Sequence, residues 1–130
     1  MRNKILLLLM ILCLLTGCSE KRPVEQPALP QTITDWPENV YTMQIPRPQN
    51  GVPDYVIDDS KNGRFSVFLM DITSEESEEY LEDLRHSGFR VTHSNGNEVS
   101  VGTILEKEEV FLSVSYSDGV LGIMISLQTE

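Results

Sequence analysis

The chain has 130 residues, with 20 acidic against 10 basic side chains and a formal net charge of −10. That balance is repelled by phosphate backbones and anionic lipid headgroups, so nucleic acid is excluded as a partner. The apolar fraction of 40% and charged fraction of 23% suit one small globular domain.

The first element is a signal. Arg2 and Lys4 precede an unbroken apolar run of eleven residues, Ile5 to Leu15, which Ser19, Glu20, Lys21 and Arg22 then terminate. A membrane-spanning helix needs about 20 apolar residues, so the run is too short to span. A basic head, a short apolar stretch and small residues make a secretory signal with its cleavage region. In Leu15-Thr16-Gly17-Cys18 the residue after the small pair is cysteine, and this tetrapeptide resembles the lipobox of bacterial lipoproteins. The resemblance implies that residues 1–17 are a signal peptide cut between Gly17 and Cys18. It implies a diacylglycerol on the Cys18 thiol and often an acyl group on the new amine. The mature chain is then expected on the cell membrane, lipid-anchored and facing away from the cytoplasm. Two glyceride chains meet the two-signal requirement for stable anchoring.

Cys13 leaves with the signal and Cys18 carries lipid, so the folded domain is expected to have no disulfide, no thiol nucleophile and no cysteine-bound zinc. Arg2 and Lys4 also leave, which moves the formal charge from −10 to −12. Residues 18–34 read as the lipidated cysteine and a tether, punctuated by Pro23, Pro27 and Pro30 and lacking apolar periodicity. The sixteen positions Ser19 to Thr34 would reach roughly 50 Å if extended. Residues 35–130 are one domain's worth of chain.

Asp35 to Pro53 is irregular, because Pro37, Pro46, Pro48 and Pro53 forbid a continuous helix or a central strand. Trp36, Tyr41, Met43 and Ile45 are nonetheless too apolar for a free linker, and a short edge strand at Val40–Ile45 is expected. A hairpin follows, with Tyr55–Ile57 and Arg64–Ile72 flanking Asn62-Gly63, a type I′ turn signal. A two-residue turn there pairs Ile57 with Phe68 and Tyr55 with Met70. Both faces of the second strand are apolar, which predicts an inner strand buried on both sides.

The helix signals are all local. Thr73 or Ser74 can cap it, and Thr73 with Glu76 has capping-box spacing. Glu75, Glu76, Glu78 and Glu79 suit the start of the helix dipole. Tyr80, Leu81 and Leu84 form one apolar stripe, and Gly88 fits the left-handed position after the helix with Phe89 folding back on Leu84. Strands are then expected at Phe89–His93, Glu98–Glu106, Glu109–Ser117 and Val120–Leu127. A two-residue turn at Asp118-Gly119 pairs Tyr116 with Leu121, Val114 with Ile123, Leu112 with Ile125 and Val110 with Leu127. All eight are apolar or aromatic and share one face. A link at Lys107-Glu108, or a four-residue loop of the same parity, extends that face to Leu105, Thr103, Val101 and Val99. The fold class is α+β: an antiparallel sheet of about five to six strands with one helix packed on one face.

The opposite face of the last three strands carries no charge. It presents Ser100, Gly102 and Ile104, then Phe111, Ser113 and Ser115, then Gly122 and Met124, with Ile104 expected opposite Phe111 and Met124 opposite Ser113. A solvated sheet face normally carries Lys, Glu or Thr. Two explanations stand. Either Asp35–Pro53 lies over this face, with Trp36, Met43 and Ile45 covering Phe111, Met124 and Ile104, or the face docks a protein, peptide or glycan. The candidate interaction residues are Ile104, Phe111, Ser113, Ser115 and Met124.

Chemistry is sparse. Asp58-Asp59-Ser60-Lys61-Asn62-Gly63 imitates the start of a calcium loop, but the bidentate carboxylate at position twelve is replaced by Leu69. His86 suits the helix C-terminus. His93 with Ser94 and Asp71 could be imagined as a triad, but no Gly-x-Ser-x-Gly elbow accompanies it. The acidic run Glu75–Asp83 fits a solvated helix face better than a paired-carboxylate site. No phosphate-binding glycine loop occurs. No catalytic residue, metal or cofactor is therefore expected, and the chain is read as no enzyme.

Trp36-Pro37, Ile45-Pro46-Arg47-Pro48 with Gly51, Glu79-Tyr80-Leu81 through Leu84 to Gly88-Phe89, and the closing hairpins together resemble a group of small uncharacterised lipoproteins from Gram-positive bacteria. The resemblance covers most of the mature chain, implies the outer leaflet of the cytoplasmic membrane, and brings no active site. In a Gram-negative host, Ser19 would instead direct the chain to the outer membrane. The expected role is a non-catalytic binding domain at the cell surface. The alternatives are a small envelope hydrolase using His93 and a passive envelope component.

Overall fold

The computed structural model describes Gly17 and residues 25–128. Cys18 and residues 1–16 of the expected signal peptide lie outside the described residues. Seven strands, β1 (Pro30–Thr32), β2 (Val52–Asp59), β3 (Arg64–Met70), β4 (Arg90–Gly96), β5 (Ser100–Lys107), β6 (Val110–Ser117) and β7 (Val120–Leu127), form one sheet. Its order is β1-β2-β3-β7-β6-β5-β4, with every neighbouring pair antiparallel. Among the described residues one α-helix, α1 (Ser74–His86), lies between β3 and β4 in the chain. The architecture is the expected helix-on-antiparallel-sheet arrangement, with seven strands rather than five or six.

The β6–β7 hairpin has the register that its apolar residues dictate, with Tyr116 opposite Leu121, Val114 opposite Ile123, Leu112 opposite Ile125 and Val110 opposite Leu127. β5 adds Leu105 opposite Leu112 and Thr103 opposite Val114. Its link is Glu108-Glu109 rather than Lys107-Glu108, because Lys107 pairs with Val110 and Glu108 adopts the left-handed turn conformation at φ 54°. The shift is by two in register, so every side chain keeps its face. It moves Ile104 opposite Ser113, and Glu106 takes the place opposite Phe111.

The β2–β3 hairpin departs in the same way. Asp59 pairs with Arg64, Ile57 with Ser66 and Tyr55 with Phe68, so the connection is Ser60–Gly63, four residues long. Side-chain chemistry outweighs the Asn-Gly signal here. The Asp58 carboxylate accepts from the Ser60 amide, and Asp59 accepts from Asn62 Nδ2 at 2.7 Å and from the Arg64 guanidinium at 2.6 Å. Gly63 closes the turn at φ 72°. Those hydrogen bonds, Arg64 first and Asn62 second, hold the Asp59 carboxyl below its usual range.

Val40–Ile45 is not an edge strand. Asn39 Oδ1 accepts from the amides of Tyr41 and Thr42, which starts a short 3-10 turn at Thr42–Gln44. The edge strand is β1, drawn from the segment expected to be tether. It pairs with β2 over Tyr55–Ile57, and Ile33 N donates to Asp54 O at 3.0 Å. Pro53 therefore lies beyond the β1 pairing, where its missing N–H does no harm.

α1 forms as its ends demand. Thr73 Oγ1 accepts from Glu76 N at 3.1 Å, and Thr73 N donates to Glu76 Oε2 at 2.9 Å. At the other end Gly88 (φ 105°) and Phe89 donate to the carbonyls of Arg85 and Leu84, the paired bonds of a Schellman ending. Lys107 Nζ donates to Ser87 O at 2.7 Å and lies 5.7 Å from the Phe89 ring centroid, so the β5–β6 turn clamps the helix terminus. The helix buries Ser77, Tyr80 and Leu84 against Val67, Leu112, Val114, Leu121 and Ile123 of the sheet core. Ser77 Oγ is buried without a hydrogen-bond partner. Ser77→Ala removes that desolvated hydroxyl and improves helix propensity, so urea unfolding should show a gain of about 1 kcal/mol.

Tyr80 joins the helix to the proline-rich segment. Its hydroxyl donates to Pro46 O at 2.8 Å, and the residue is 2% exposed. Burial, and secondarily the Asp83 charge, push the phenol well above its ordinary value of 10.0. A phenol held neutral in the fold contributes stability that is fully present below the unfolded value and lost as pH rises above it. Stability should therefore fall above pH 10.0 as the unfolded phenol ionises. Unfolding midpoints compared at about pH 8 and about pH 11 should fall less in Tyr80→Phe than in the parent chain.

Candidate docking face

Outward side chains of the seven strands form four rows across the sheet. The first runs Val52, Met70, Val120, Ser117, Ser100, and the second Thr32, Tyr55, Phe68, Gly122, Ser115, Gly102, Asn95. The third runs Pro30, Ile57, Ser66, Met124, Ser113, Ile104, His93. None of these residues is an acid, a lysine or an arginine. The fourth row, Asp59, Arg64, Ser126, Phe111, Glu106, Arg90, holds four charges that cancel in two ion pairs, Arg64–Asp59 and Arg90–Glu106. The paired positions of the whole face are thus electrically neutral in a chain of net charge −10.

The face is open. Ile104 is 38% exposed, Met124 36%, Met70 39% and Val120 46%. Asp35–Pro53 does not cover it. That segment packs on the helix side, where Tyr41 stacks on Phe65 at 5.8 Å between ring centroids and Ile45 is buried in the core. Trp36 packs against the same core, and Met43 points to solvent at 79% exposure. The reason is area. α1 has thirteen residues, hence about 20 Å of length, and cannot shield a seven-strand face about 30 Å wide. The uncovered core around Phe65, Val110 and Ile125 takes Tyr41 and Ile45. β3 is correspondingly an inner strand with one bare face, not one buried on both sides.

The five candidate residues, Ile104, Phe111, Ser113, Ser115 and Met124, all lie on this face, and adjacent register positions bring Ile104, Ser113 and Met124 into one line. The sequence did not announce the β2–β3 half. Phe68 reaches across Gly122, where an added Cβ would come within 2.8 Å of its ring, and Tyr55 stacks on Phe68 at 4.4 Å. The apolar outward residues of β3 were visible as a pattern, but that β3 lies beside β7 was not. Gly102 leaves a hollow between Ser115 and Asn95, since an added Cβ there would meet only Asn95 O at 3.9 Å.

The imagined triad is not assembled. His93 points outward opposite Ile104, whereas Ser94 Oγ lies 3.2 Å from Thr103 Oγ1 on the helix side. Asp71 follows β3, four strand positions or about 19 Å from β4. Asp58–Gly63 closes a hairpin, and no cluster of three metal-ligating side chains occurs among the described residues. The acidic helix face borders an open groove of about 320 Å³ that includes Pro48, Glu76, Glu79, Asp83 and His86. Away from that groove Tyr116 donates to Glu78 at 3.3 Å, and burial, then the Glu78 charge, raise its phenol. No helix of the described residues is long and apolar enough to cross a membrane. No family model, curated protein or solved structure matches the chain.

Proposed function

We propose that the chain is a lipid-anchored extracytoplasmic lipoprotein whose single domain binds an envelope partner without catalysis. One observation carries the docking part of this reading: a sheet face of seven strands, neutral and open, on a strongly acidic chain. Exposed apolar side chains grouped on one face, here Val52, Met70, Ile104, Val120 and Met124, mark interaction surfaces. The anchoring part rests on Leu15-Thr16-Gly17-Cys18, and the likeness to small Gram-positive lipoproteins supports an outer-leaflet position on the cytoplasmic membrane. The described residues fit a rigid platform, with the ends of α1 capped and its apolar stripe seated on one side of the sheet while the other side stays free.

Ser113→Glu combined with Met124→Glu places two charges at the centre of the face without touching the core. A photoreactive residue at Ile104 should give covalent adducts on intact cells, and the double substitution should abolish them while the thermal midpoint stays within a few degrees. Adducts that persist undiminished in the double variant would place the binding site elsewhere.

A further inference from the structure

We infer that the occupant of the neutral face is a second copy of this chain, packed sheet against sheet; the inference rests on the docking reading above and names its partner. Charge is the first argument. Two copies of so acidic a chain repel each other through most of their surfaces. They do not do so through this face, whose four charges are already consumed in Arg64–Asp59 and Arg90–Glu106. The face also offers no unpaired charge with which to choose a charged partner. What fits it is another flat, uncharged surface, and the chain carries one.

Relief is the second argument. In a two-fold pairing each residue contact is made twice, once from each copy. Met124 and Ile104 are exposed side chains in one row of the face, and Gly102, two residues before Ile104 on β5, leaves a hollow in the next row. Ridge and hollow on one surface allow the ridge of each copy to enter the hollow of the other. Serines at 113 and 115 keep the centre low enough for sheets to approach at the usual spacing of about 10 Å.

Area is the third. Seven strands about 4.8 Å apart and four rows along them span at most about 30 Å by 20 Å, so complete overlap of two copies would bury up to about 1,200 Å² in total, the low end for a specific stable interface. Anchoring both copies in one membrane raises their effective concentration, which suits an interface of that size.

The test uses the full chain in intact cells, with benzoylphenylalanine in place of Met124 and two epitope tags on co-expressed copies. Illumination should give an adduct carrying both tags. The same group in place of Glu75, on the helix side, should give none. Ser115→Glu sets like charges against each other across the interface, and Ser115→Lys does the same with the opposite sign. Each should remove the adduct while an unchanged thermal midpoint shows the fold intact. A doubly tagged adduct that survives both substitutions overturns the inference. An adduct with a different molecule overturns it too, but leaves the docking reading standing. No adduct of any kind from position 124 overturns both.

Discussion

Leu84→Ala should lower the unfolding free energy by about 3–4 kcal/mol, the range for deleting a leucine side chain from a core that cannot collapse around the gap. Leu84 is fully buried and lies in the last turn of α1. Three features make its loss expensive. The helix has thirteen residues and would be marginal alone, so its stability comes from the stripe it packs on the sheet. That stripe is narrow, with Tyr80 and Leu84 its only large anchors below 3% exposure and Leu81 only partly buried. The stripe shares one core cluster with Val67, Leu112, Val114, Leu121 and Ile123, which are held in hydrogen-bonded inner strands and cannot move up into a void. For a domain of this size the change corresponds to a fall in thermal midpoint of about 15 °C. Leu81→Ala, at the edge of the stripe, should cost less than half as much. Calorimetry or urea unfolding checks both, and a Leu84→Ala loss below about 1 kcal/mol would mean that the helix contributes little to the fold.

The parts of this architecture that were legible in the sequence are those fixed by neighbours in the chain. The Thr73–Glu76 box, the Gly88-Phe89 ending and the Asp118-Gly119 hairpin each need only a few adjacent residues, and each forms as read. The β6–β7 register was doubly determined, by the turn and by eight apolar residues that would all change face on a one-residue slip. β1 gave no such signal. All three of its residues are exposed, so its pairing is a matter of backbone hydrogen bonds, which sequence pattern does not record.

Longer-range features were legible in kind but not in place. Tyr41 and Ile45 had to be buried somewhere, but the choice between the two sides of the sheet depended on how much core the helix left uncovered. That quantity follows from strand order, and strand order is not written in any local motif. In the sequence the neutral face shows only through the charges it lacks, and that signal reaches no further than its β5–β7 half. Its β2–β3 half, with Tyr55, Phe68 and Met70, joined it once β3 was seen beside β7. The turn at Ser60–Gly63 illustrates a different failure. Asn62-Gly63 favours a two-residue turn, and the carboxylates of Asp58 and Asp59 overrule it by binding the turn's own donors.

Cys18→Ser should abolish acyl labelling of the chain outright, whereas Cys13→Ser should leave it unchanged. The contrast separates the two cysteines, because the lipobox reading sends Cys13 away with the signal and makes Cys18 the first residue of the mature chain. Its energetic consequence is large. Each buried CH₂ contributes about 0.8 kcal/mol, and a single myristoyl chain gives only marginal, reversible binding, while two chains hold stably. The apolar run Ile5 to Leu15 has eleven residues where a span needs about 20, and the acidic domain gains nothing from anionic headgroups. Metabolic labelling with a fatty acid, followed by a mass measurement of the mature chain, checks the expectation. Label retained on the Cys18→Ser chain would remove the anchor from the proposal, and with it the shared membrane that favours pairing of two neutral faces.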